Sequence, residues 1–141
     1  MDKNNKYIQL TIDLANKAYA VGEVPVGAVI VQGDAIVSSA YNQKETTNIA
    51  TRHAELIAIE EASRVKGDWR LDDCIMYVSL EPCMMCKGAI MESRIKQVVY
   101  AAKDMQNKCQ NVDVNIMQVN DPILIDESTA IIKKFFANMR K

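Results

Sequence analysis

The chain's only histidine, His53, lies far in sequence from its only closely spaced cysteine pair, Cys83 and Cys86, yet each opens an apolar run that reads as a helix entered from a loop or strand. Ahead of His53 stands Thr51, a capping residue type, and Pro82, which suits a helix start, precedes Cys83. Two cysteines three apart share one helix face, and a helix N-terminus lowers thiolate pKa. If the two helix starts face one another, an imidazole and two thiolates can grip one ion. The backbone must then turn so that residues far apart in sequence meet at one crevice. Such crevices form at strand-to-helix turns in open α/β sheets.

Each half of this pattern has a plain alternative. A lone histidine is more often an ordinary half-buried side chain than a ligand, and Cys-x-x-Cys serves redox chemistry as well as metals. Glu55 weighs against the plain reading. Leu56, Ile57, Ala58 and Ile59 follow it without a polar break, which predicts a helix buried on more than one side. A buried carboxylate is costly and its pKa tends to rise, so a chemical role is expected of it.

The rest of the chain reads as an α/β protein. Tyr7, Leu10, Leu14, Ala15 and Ala18 recur at helical spacing and give an opening helix ending near Gly22. VGAVIV and AIVSSAY form a hairpin around a QGD turn, followed by a polar loop, NQKETTNIA, and then the His53 helix. LDDCIMYVSL is a third strand and KQVVYA a fourth, separated by the helix that begins at Cys83. KDMQNKCQNVDVN reads as irregular, Ile123 to Ile125 as a short strand, and Ser128 to Arg140 as a final helix. This alternation predicts a largely parallel sheet covered on both faces.

A length of 141 residues without repeat or linker fits one domain spanning 1–141. The start, MDKNNKYIQL, lacks the pattern of a secretory signal, and no apolar stretch approaches the roughly 18 residues of a membrane span. The expectation is therefore a cytoplasmic protein with no membrane association, whose four cysteines stay reduced. A net charge of -1 argues against extended phosphate contacts, so any nucleic-acid contact must be local. The strongest local patch is KKFFANMRK at the end, although cations near a helix C-terminus also suit its dipole.

One imidazole and two thiolates leave the fourth tetrahedral position to water, the arrangement of a catalytic zinc. Glu55 would then carry protons. The combination of His-x-Glu with Pro-Cys-x-x-Cys marks the zinc nucleobase deaminases, and here it is HAE at 53–55 and PCMMC at 82–86.

The similarity extends to GEVPVGAVIV, the Tyr41-Asn42 pair, the run from Trp69 to Asp104, and the ending FFANMR. Together these resemble the bacterial tRNA-specific adenosine deaminases of the cytidine and deoxycytidylate deaminase superfamily. The resemblance implies a three-layer α/β/α sandwich, cytidine-deaminase-like, with a central mixed sheet of about five strands. It also implies a homodimer, one Zn2+ per subunit with no organic cofactor, and conversion of adenosine to inosine at the wobble position, 34, of an arginine tRNA. His53, Cys83 and Cys86 would hold zinc and Glu55 would be catalytic. Asn42 and the backbone around Ala54 would hold the purine, with EVPVGA beneath it. Phe135, Phe136 and Arg140 would meet the anticodon stem-loop.

Two segments depart from the family's pattern: Ile49 to Arg52 replaces an Asp-Pro-Thr-Ala run, and MQNKCQNVDVN replaces a glycine-rich one. Neither touches the zinc ligands, and the second reshapes the substrate rim. Three alternatives stand beside this reading. One is deamination of a free base or nucleoside, guanine or cytosine, on the same fold. Another is a non-catalytic zinc- or RNA-binding module closed by Cys74 or Cys109. The third, a thiol redox protein, leaves HAE unexplained. Plain packing roles are expected for Cys74, Gly88 and Ala89. Met84, Met85 and Met91 are expected in the core or at subunit contacts, Trp69 as a loop anchor, and Glu60 and Glu61 on solvated surface.

Overall fold

The computed structural model describes residues 2–104 and 114–139. In chain order the elements are α1 (Lys3–Ala20), β1 (Gly27–Gln32), β2 (Ala35–Tyr41), α2 (Lys44–Thr47), α3 (Ala54–Lys66), β3 (Cys74–Leu80), α4 (Met84–Glu92), β4 (Gln97–Ala102), β5 (Asn115–Gln118) and α5 (Pro122–Met139). The strands form one sheet in the order β2-β1-β3-β4-β5. β1 runs antiparallel to both β2 and β3, while β3, β4 and β5 are parallel. The sheet is therefore mixed. It has five strands, as the resemblance implies; the alternation that predicted a largely parallel sheet left out β1, which runs antiparallel to both of its neighbours, β2 and β3.

Strand alternation sorts the core into two layers. Ala28, Ile30, Met76, Val78 and Val98 face α3 and α4, where Ala54, Ala58, Ala62 and Ile90 cover them. Val29, Val31, Tyr77, Val99 and Ala101 face Tyr7, Ile8 and Ile12 of α1 and Leu124 of α5. Three layers result, helices on either side of a central sheet. The central strands β1, β3 and β4 are buried almost continuously, whereas the edge strands β2 and β5 alternate. Gly27 is required by close approach: a Cβ there would lie 2.2 Å from the Thr11 carbonyl oxygen and 2.5 Å from the Leu14 Cβ. Gly67 closes α3 at φ 67°, a left-handed C-cap that glycine adopts without strain.

Several local expectations are corrected. The predicted strand at Ile123 to Ile125 is the first turn of α5, which begins at Pro122 rather than near Ser128. Asp121 accepts from the Ile123 amide (2.9 Å) ahead of a proline at the first helical position, a start signal that outweighs the β-branched pattern. The fifth strand is Asn115–Gln118, which starts at the last residue of the stretch read as irregular and continues beyond it. The polar loop after β2 contains α2. The fully buried positions of α3 are Ala54, Glu55, Ala58 and Ala62, one stripe, while Leu56, Ile57 and Ile59 are half-buried. Met84 is 69% exposed, with Met85 and Met91 also on the surface. Gly88 has nothing within reach of an added Cβ, so packing within this chain does not require a glycine there. Trp69 is exposed and flanked by the Arg70 and Arg94 guanidinium groups rather than inserted into the core. Glu60 and Glu61 lie on the surface, paired with Arg52 and Arg64.

Candidate active site

One end of the sheet gathers the chemistry. β3 and β4 point their C-terminal ends there, with Leu80 opposite Ala102. β2 ends and β1 begins at the same end, with Tyr41 opposite Gly27. The chain leaves this rim from β3 through Glu81 and Pro82 into α4, and from β2 through Asn42 towards α3.

α3 and α4 start in the same unusual way. His53 is the N-cap of α3 and Cys83 the N-cap of α4, both extended, and neither side chain caps its helix. Thr51, the expected cap, lies outside α3, and its carbonyl accepts from the His53 amide (2.8 Å). Capping instead comes from across the loop, where Asn42 Oδ1 accepts from the Ala54 amide (2.7 Å). The imidazole and the thiol are thereby free for one another. His53 Nδ1 lies 3.5 Å from Cys86 Sγ and 3.8 Å from Cys83 Sγ, and the three donor atoms lie within 4.8 Å of one another.

These spacings fit zinc. With Zn–N near 2.0–2.1 Å and Zn–S near 2.3 Å, a tetrahedral site has an N···S edge of about 3.6 Å. Among the described residues, no other His, Cys, Asp or Glu joins the cluster. Cys74, proposed as a closing ligand for a structural site, begins β3 and so lies at the end of the strand remote from Cys83. It is buried beside Lys66 and Asp73, and burial pushes its thiol up to about 11. Cys109 lies outside the described residues.

The electrostatics show what the cluster does with protons. Hydrogen bonds from Cys86 and His53 hold the Cys83 thiol down to about 3. Cys86 is pushed up because it donates to Cys83 and is buried. His53 is raised first by its hydrogen bond to Cys83. Cys83 thus stands ready as a thiolate, while the imidazole and Cys86 hold protons that a cation would displace. Glu55, two residues after His53 in the first turn of α3, is 4% exposed. Burial, then the neighbouring Cys83 charge, raises its carboxyl to about 7, and Cys86 lies within hydrogen-bonding reach of it.

Asn42 is buried beside this cluster in the fold, and its oxygen is committed to Ala54. Its amide NH2 has no partner among the described residues and remains a donor. The Ala54 amide is correspondingly spent on Asn42 rather than open to a ligand. Phe135 is buried against Tyr19 and Phe136, while Phe136 is 42% exposed. Arg140 lies outside the described residues.

Sequence reasoning passed over Glu23, whose buried carboxylate takes the Glu45 and Thr46 amides, and Tyr19, which carries Lys134 over its ring and accepts from Asn138. It also passed over the buried Lys87, whose Nζ lies 4.0 Å from Glu81. A charged residue inside an apolar run, the signal that singled out Glu55, was present at Glu23 and Lys87 as well.

Comparison with known proteins agrees with this geometry. Residues 1–102 match the cytidine and deoxycytidylate deaminase zinc-binding region. The tRNA-specific adenosine deaminase of Bacillus subtilis (strain 168) is 37% identical, across 100% of this chain and 93% of that protein. A solved structure from a study of A-to-I editing by tRNA:A34 deaminases at the wobble position superposes with a TM-score of 0.81 at 28% identity, covering 90% of this chain and 99% of that one. The Bacillus subtilis guanine deaminase structure superposes with a TM-score of 0.68 at 32% identity, covering 92% and 93%. The chain belongs to the zinc-binding cytidine and deoxycytidylate deaminase family, and within it groups with the tRNA-specific adenosine deaminases.

Proposed function

We propose that this chain deaminates adenosine to inosine at the wobble position of a tRNA anticodon, releasing ammonia. The observation that carries the reading is a set of three metal donors spaced for zinc beside a buried carboxylate that is not needed as a ligand. His53, Cys83 and Cys86 are the zinc residues. When bound there, zinc supplies a water acidic enough to lose a proton near neutral pH. Glu55 takes that proton and delivers it to the purine ring, then takes a second from the hydroxyl added at C6 and passes it to the departing amine; a carboxyl raised to about 7 is suited to both directions. Asn42 offers its amide NH2 to a purine acceptor, and its bond to Ala54 fixes the direction in which that donor points.

The anticodon arm meets Phe136, which can stack and which Phe135 supports edge-on, and Arg140 adds a cation for its phosphates. Exposed Met84, Met85 and Met91 on and beside α4 suit burial between two copies, so the working form is a homodimer. The chain acts as one domain in the cytoplasm without an organic cofactor, and no described helix is long and apolar enough to cross a membrane.

Guanine is the second reading, favoured by the 32% identity to a guanine deaminase structure. Zinc-loaded protein is expected to form inosine from an anticodon stem-loop carrying A34 and to release little ammonia from guanine, cytosine or free adenosine. Ammonia from guanine without inosine in the stem-loop overturns the tRNA assignment in favour of the second reading.

A further inference from the structure

Glu23 is 1% exposed, on the turn between α1 and β1, and no ion pair reaches it among the described residues. Its charge is carried by three donors on a different loop. The Glu45 amide donates to Oε1 (3.0 Å), and the Thr46 amide (2.5 Å) and hydroxyl (2.6 Å) donate to Oε2. These hydrogen bonds hold the carboxyl below its usual range even though burial alone would raise it.

A four-residue helix with no buried residue would be capped as well by an exposed Asp or Ser at Gln43. Burying a carboxylate for that purpose is disproportionate, since desolvation costs more than a cap returns. The loop it grips carries more than α2. One residue before Gln43, the Asn42 amide donates to the Val26 carbonyl (3.1 Å), on the same turn as Glu23. The Gln43 amide donates to the Arg52 carbonyl (3.0 Å), next to His53. Asn42 Oδ1 then receives the Ala54 amide at the start of α3. The turn from Glu23 to Val26 thus holds the segment at two points, on either side of Gln43, and that segment ends at a metal residue.

We propose that Glu23 is a positioning residue for the substrate pocket, fixing the 42–53 segment so that Asn42 stays locked on Ala54 with its NH2 presented to the purine. The proposal rests on the deaminase reading above for its substrate, while the positioning itself can be read without turnover.

The test compares the zinc-loaded wild type with Glu23→Gln and Thr46→Val. The Gln variant keeps the shape but turns a donor towards one of the loop's donors; the Val variant removes only the hydroxyl and serves if the first does not fold. Three quantities are measured: zinc per chain, steady-state inosine formation from the anticodon stem-loop, and amide hydrogen exchange. Zinc should remain at one per chain. KM should rise about tenfold for Glu23→Gln, and less for Thr46→Val, with kcat little changed, because a binding group is loosened in ground and transition states alike. The Ala54 amide should exchange faster together with those of Glu45 and Thr46. If Glu45 and Thr46 loosen while Ala54 protection and KM stay at wild-type values, Glu23 is only a remote cap and the proposal is overturned. If wild type forms no inosine, the tRNA assignment fails by itself, and Ala54 exchange alone decides the positioning role.

Discussion

Replacing Glu55 with Gln tests the division of labour in the site. The side chain is 4% exposed, so the near-isosteric amide leaves no cavity and admits no new water. The three metal donors do not include it, so zinc affinity should be retained. The amide can still donate and accept hydrogen bonds but cannot take a proton from water or return one to an amine. Proton transfer by a positioned group typically contributes ~10²–10⁴-fold, so the barrier should rise by about 3–5 kcal/mol. Folding stability should not fall, because the substitution removes a carboxyl that burial already disfavours in its charged form. The measurement is single-turnover inosine formation from an anticodon stem-loop, which separates chemistry from product release, alongside zinc content and thermal melting. A variant that keeps its zinc and turns over within about tenfold of wild type would refute Glu55 as the proton carrier. Zinc loss in step with activity would instead make it a structural partner of the ligands.

Chelation should abolish deamination and zinc should restore it; in the stripped protein, peptide mapping after brief alkylation at neutral pH should find Cys83 labelled and Cys74 spared, because hydrogen bonds hold the first down to about 3 and burial holds the second up to about 11. Gly27→Ala should cost about 1–3 kcal/mol in urea unfolding, towards the upper end because the new Cβ meets α1 main chain as well as the Leu14 Cβ. Phe136→Ala should weaken stem-loop binding by about 1–3 kcal/mol, read as KM, while leaving zinc content unchanged. The Glu23 carboxyl is lowered in the fold, so its stabilisation is present above the ordinary carboxyl value of 4.5 that it takes in the unfolded chain, and is lost as pH falls through the lower folded value. Urea midpoints of wild type and Glu23→Gln should therefore differ at pH 6 and converge in strong acid, and a constant gap across that range would refute the ionised carboxylate.

Most of the architecture was legible because it follows from local periodicity. The hairpin, the strands before and after α4, and the placement of His53 and Cys83 at helix starts all come from apolar spacing and from Pro82. Errors arose where two local signals competed. Ile123 to Ile125 carries β-branched residues, but Asp121 and Pro122 just before them begin a helix, and burial of Leu124 against α1 favours the helical outcome. Thr51 is a capping residue type, yet α3 takes its cap from Asn42, twelve residues before Ala54. No local rule supplies a partner at that separation.

The same limit separates the two buried glutamates of this end of the sheet. Glu23 and Glu55 both stand in apolar sequence, and burial pushes the carboxyl of each upward. At Glu23 the Thr46 hydroxyl and the Glu45 and Thr46 amides outweigh burial, and the group stays ionised. At Glu55 no comparable set of donors converges, the Cys83 charge adds to the effect of burial, and the carboxyl rises to about 7. Burial is therefore readable from the run of residues around each glutamate, but the sign of the pKa shift is not, since it depends on groups brought in from other loops. That sign assigns the roles. A carboxylate held ionised by three donors gives up its charge reluctantly and is suited to holding a loop, whereas one left near neutrality is suited both to accept and to give a proton. Position completes the assignment, since only Glu55 has the imidazole and the two sulfurs as neighbours, while Glu23 faces the 44–46 loop alone.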